Sequence, residues 1–157
     1  MTTNYLQMMI DSLKKKKDIL TRIIALNEEQ DKILSKPELD DNAFDANMKA
    51  KGDCIDGLDR LDEGFQSLFN RVRDAINANK EMYANEISVM KRLITEVTEL
   101  GAKIEVQEAR NKVKVEAMFR RERQEHKEAK RSASMAKSYY QNMSKMSNEP
   151  QFMDTKQ

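Results

Sequence analysis

Apolar residues recur along the chain at spacings of three, four and seven, in three successive stretches. In the first, Leu6, Met9, Ile10, Leu13, Leu20, Ile23, Ile24, Leu26, Ile33 and Leu34 mark one face of a helix. That pattern ends near Ser35-Lys36-Pro37, because the residue before a proline is pushed out of helical geometry. Asp40, Asp41 and Asn42 follow as candidate caps for a second helix, with Ser35 to Glu38 as a competing capping box.

The second stretch reads Phe44, Met48, Lys51, Ile55, Leu58, Asp62, Phe65, Phe69, Val72 and Ile76. It alternates steps of four and three, a heptad seam interrupted by two charged residues. Gly52, Gly57 and Gly64 fall inside it, so this helix must lean on tertiary packing. Asn77-Ala78-Asn79 reads either as the turn that follows or as a polar patch in one longer helix. The third stretch runs Tyr83, Ile87, Met90, Ile94, Val97, Gly101, Ile104, Glu108, Asn111, Val115 and Met118, and its seam is mixed from Gly101 onward. Apolar side chains then stop from Arg120 to Glu128. They resume in Ala129, Ala133, Met135, Ala136, Tyr139, Tyr140, Met143 and Met146, roughly on one helical face.

Helices of about 30 to 40 residues rise about 45 to 60 Å, and three of them can bury their seams mutually. The expected fold is therefore all-α, an antiparallel three-helix bundle or coiled coil with an extended C-terminal helix. The expected organisation is a bundle over residues 1–118, a charged and then Met/Tyr-rich helix over 119–147, and a flexible tail over 148–157. On this reading the three long helices leave no fourth partner for the apolar face that ends the chain. Met118, Phe119, Met135, Tyr139, Tyr140, Met143 and Met146 become the candidate partner-binding residues.

Composition narrows the class. Four glycines and two prolines are too few for the turns of a strand-rich fold. Lysine and arginine number 28 against 27 aspartates and glutamates, so no whole-chain field points to nucleic acid or an anionic membrane. The first residues lack the basic-then-apolar order of a signal peptide, and no apolar run is long enough to span a bilayer. A cytoplasmic protein without membrane insertion is expected.

Catalytic chemistry finds little to work with. His126 is the single histidine, and with Glu122 one turn earlier it makes only half a metal site. Cys54 has no histidine near it in the sequence and reads as a buried or half-buried thiol rather than a nucleophile. The glycines are isolated, so no phosphate loop exists. No enzyme activity, metal or cofactor is expected. Residues 120–131 and Lys14 to Lys17 are basic, yet acids interleave the first cluster with i,i+3 and i,i+4 partners, which suits a solvated helix better than a phosphate-binding one. Eleven methionines outnumber the nine aromatic residues. Flexible, polarizable Met fills irregular cores and also lines surfaces that accommodate more than one partner.

Three segments carry a resemblance: Gln107-Glu108-Ala109-Arg110-Asn111-Lys112, Ser138-Tyr139-Tyr140-Gln141-Asn142-Met143 and Pro150-Gln151-Phe152-Met153-Asp154. With the charged stretch between them, they resemble clostridial members of the FlgN-type flagellar export chaperones. The specific part covers about residues 105–155. The resemblance implies a non-catalytic chaperone of the flagellar type III export system. Such a protein binds the helical C-terminal segments of hook–filament junction proteins and delivers them to the export gate. It also implies a gate-linked tyrosine near the end, for which Tyr139 and Tyr140 are the candidates; the tail past Met146 departs from the family. The residues alone leave rivals open: a homo-oligomeric structural coiled-coil scaffold without a client, in which the same face zips to its own copy as a homodimer, or a face that folds back on its own chain.

Overall fold

The computed structural model describes residues 1–123 and 128–143, with side chains from 133 onward in the second span. These residues form four helices: α1 (Thr2–Leu34), α2 (Asp41–Ala78), α3 (Ala84–Glu122) and α4 (Glu128–Met143). No strand occurs among the described residues. The architecture is an all-α bundle in which α1 and α3 run parallel and α2 runs against both.

Local chemistry sets the boundaries. The Ser35 amide closes α1 on the Asp31 carbonyl at 3.0 Å, just ahead of Pro37. Of the competing caps, Asp40 takes the position: its side chain accepts from the Ala43 amide at 3.1 Å. α2 continues through Ala78, and the chain turns at Asn79–Tyr83. α3 is continuous past Met118 and stops at Arg123, whose amide donates to the Phe119 carbonyl at 2.9 Å.

The three seams interlock largely as their spacing requires. α1 is the spine, packed closely on both α2 and α3. At one end Leu6, Met9, Ile10 and Leu13 meet Phe65, Phe69, Val72 and Ile76 of α2 and Met90, Leu93 and Ile94 of α3. At the other end a second cluster joins the last turns of α1, the first half of α2, the second half of α3, and α4. The charged interruption at Asp62 is explained by α1: Lys16, itself buried, donates to its carboxylate at 2.8 Å.

The expectation of a C-terminal helix left over, with no intramolecular partner, is corrected. α4 is a separate helix that packs on α2 and α3, so the bundle is four-helical in cross-section at this end. Its Ala136 and Tyr139 are 3% and 4% exposed. The length argument failed because it sought a partner as long as the first three helices. Sixteen residues need cover only half a bundle, and α4 takes the space that α2 and α3 leave open on the side away from α1.

Candidate functional site

The packing of α4 on α3 brings most of the sequence-selected residues together. Met118, Phe119 and Tyr139 are buried in one cluster, and Met135, Tyr140 and Met143 pack half-buried against it. Phe119 meets Phe44 of α2 edge to face, ring centroids 5.6 Å apart. Met146, His126 and the tail from residue 148 lie outside the described residues.

Beneath α4 runs a layer of buried polar side chains. Lys51 of α2 is wholly enclosed, and its ammonium donates to Glu108 of α3 at 2.6 Å and to Gln30 of α1 at 3.2 Å. Gln30 in turn donates to Asn47 at 3.0 Å and accepts from Asn111 at 3.2 Å. Asn47 donates to the Leu26 carbonyl, Asn111 to the Asn27 carbonyl, and Asn27 to Gln107, all within 3.1 Å. α4 closes the layer from above: the Tyr139 ring centroid lies 4.2 Å from the Lys51 nitrogen, a cation–π contact out of water.

The electrostatics follow from this enclosure. Burial lowers the Lys51 pKa, opposed by the Glu108 carboxylate. Burial raises the Tyr139 phenol well above its ordinary value, and the negative charge on Glu108 adds to the effect. Tyr140 is raised by the same two causes, with Glu116 contributing. Glu108 Oε1 takes the lysine, while the buried Oε2 has no hydrogen-bond partner among the described residues. The Tyr139 hydroxyl donates to the Met143 sulfur at 3.4 Å.

Sequence reading placed Lys51, Glu108 and Asn111 on the seams but did not connect them. It missed Asn27, Gln30, Asn47 and Gln107. A signal for part of this existed: Asn27 and Gln30 continue the α1 steps Leu20, Ile23, Leu34 at helical spacing, so two polar residues stand on the apolar face level with Lys51.

Between α3 and α4 a cleft of about 680 Å³ remains open. Its floor is Val115, Phe119, Ala133, Ala136 and Tyr140. Lys112, Arg123 and Lys137 stand at its rim with Glu116, and the Lys112 nitrogen lies 5.5 Å from the Tyr140 ring centroid. This volume falls in the range of ligand sites, about 300 to 1,000 Å³.

Other candidates do not assemble. Cys54 is buried, and burial raises its thiol pKa, which disfavours the thiolate needed for attack. Among the described residues no group of three histidine, cysteine or acidic side chains is placed to hold a metal, and no helix is long and apolar enough to cross a membrane. The Lys14–Lys17 cluster is half consumed within the bundle: Lys16 pairs with Asp62 and Lys17 with Glu96. No family model matches the chain, and neither a curated protein nor a solved structure matches it.

Proposed function

We propose that the protein is a non-catalytic chaperone that holds a helical segment of a client protein, of the flagellar export class its C-terminal segments resemble. The observation that carries this reading is the open apolar cleft between α3 and α4, walled by helices on two sides. Two packed helices with a gap between them are a seat for a third, and an amphipathic helix in a groove is a recurring mode of protein recognition. The seat differs from the one expected from sequence. Tyr139 faces inward onto Lys51, and Phe119 and Ala136 are as buried as it is, so the client meets the half-buried Ala133 and Tyr140 along the cleft rather than the whole Met/Tyr face.

In this reading the clients are the helical C-terminal segments of hook–filament junction proteins, held in the cytoplasm before delivery to the export gate. Calorimetric titration of the full chain with such segments tests it, alongside Ala133→Phe, which fills the cleft from a half-buried position. Tight binding that Ala133→Phe abolishes supports the proposal. Absence of binding to any junction-protein segment overturns it.

A further inference from the structure

The cleft has a charge as well as a shape. Three cations, Lys112, Arg123 and Lys137, face one carboxylate, Glu116, around an apolar floor. All four are exposed. Neither Lys112 nor Lys137 makes an ion pair within 4 Å among the described residues. Lys16, Lys17, Lys51 and Lys114, by contrast, each pair with a carboxylate on another helix. The rim is thus a place where positive charge is left for an outside group to meet.

The dimensions favour a helix over a compact ligand. Along α3 the lining steps from Lys112 through Val115, Glu116 and Phe119 to Arg123, three turns of one face. Eleven residues of helix rise about 16 Å, the span of three turns on a helix laid alongside. Along α4 the lining repeats at helical spacing in Ala133, Ala136, Lys137, Tyr140 and Gln141.

We infer that the α3–α4 cleft selects an acidic amphipathic helix, one that sets apolar side chains over Ala133 and Tyr140 and carboxylates against Lys112, Arg123 and Lys137. The inference rests on the client-binding reading and adds the partner's charge. The apolar floor gives affinity. The rim gives discrimination, because like charges placed against it are repelled while carboxylates are drawn in.

The test uses the full chain and two synthetic helical peptides with the same leucine and phenylalanine face. One carries glutamates on the flanks and the other carries lysines. Fluorescence anisotropy at low salt is expected to show the acidic peptide binding about tenfold or more tighter, with the difference shrinking as salt screens the rim. The double variant Arg123→Glu and Lys137→Glu changes two exposed side chains and is expected to narrow or reverse the preference at unchanged helicity. Ala133→Phe is expected to weaken both peptides. Equal binding of the two peptides, or a preference that the double variant leaves untouched, overturns the inference while client binding itself stands. Failure of both peptides, with junction-protein segments still bound, also overturns it. Concentration-dependent self-association that the acidic peptide does not compete would assign the cleft to a second copy and overturn it too.

Discussion

The Lys51 ammonium nitrogen sits 4.2 Å from the centre of the Tyr139 ring, so a charge from α2 is sealed by an aromatic face from α4. The same nitrogen reaches Gln30 of α1 and Glu108 of α3. One side chain therefore touches all three other helices. Its replacement tests how the fourth helix is held.

Lys51→Met removes the cation and leaves the Glu108 carboxylate buried without a counter-charge. Breaking a buried pair in this way costs about 3 to 5 kcal/mol. Lys51→Met combined with Glu108→Leu should be closer to wild type than Lys51→Met alone, because no charge is then stranded. Urea denaturation of Lys51→Met, Glu108→Leu and the double variant measures the coupling. A double variant as unstable as the sum of the singles would show that the two residues act independently.

Alkaline pH should act on the same layer. The folded state holds the Tyr139 and Tyr140 phenols above the ordinary value of about 10, so it keeps protons that the unfolded chain has lost. The stability tied to these phenols is fully present below about pH 10 and is lost as pH rises further. Lys51 has the opposite sign: its lowered pKa lets stability rise as pH climbs toward its unfolded value of 10.5. Tyr139→Phe should flatten the fall above pH 10. Urea melts at stepped pH, with phenolate absorbance followed in parallel, give the comparison.

Ala136 provides a way to unseat α4 alone. It is 3% exposed in the core cluster that α4 completes, and Ala136→Glu would force a carboxylate into that apolar contact. Amide exchange should accelerate in α4 while protection persists around Leu6, Phe65 and Met90 at the far end of the bundle. Uniform loss of protection would mean that the two core clusters unfold as one.

The glycines of α2 and α3 offer gains rather than losses. A Cβ added at Gly64 or Gly101 meets nothing within 4 Å, and neither residue has a positive φ. Gly64→Ala and Gly101→Ala should each stabilise by about 0.5 to 1 kcal/mol. Gly57→Ala should give less, since its Cβ would lie 3.3 Å from Ile19 Cδ1. Thermal melts of the three variants rank them directly.

Much of the fold was legible because helical seams write themselves as spacing. Phe44, Met48, Ile55, Leu58, Phe65, Phe69, Val72 and Ile76 were all placed on one face of α2, and all are buried. The polar layer was only half legible. Lys51 and Glu108 could be seen on their own seams, but periodicity says nothing about which residues on separate helices meet. The return of α4 was one open reading of the terminal apolar face, and spacing could not select it. Spacing gives a helix its face but not its direction after a break, and residues 120 to 128 carry no apolar side chain to indicate where the chain goes next. The cleft is a by-product of that return, so its lining, drawn from Lys112 on one side and Gln141 on the other, could not be assembled from sequence.

The polar layer also bears on how the four rods are aligned. Sliding α1, α2 or α3 by a turn, about 5.4 Å, would carry Lys51 away from Glu108 or Gln30 and leave a buried polar group without its partner. Long, nearly repetitive seams are prone to such slippage, since one leucine fits another's place almost as well. Lys51 in its polar layer works like an indexing pin, admitting a single alignment and excluding the near misses on either side.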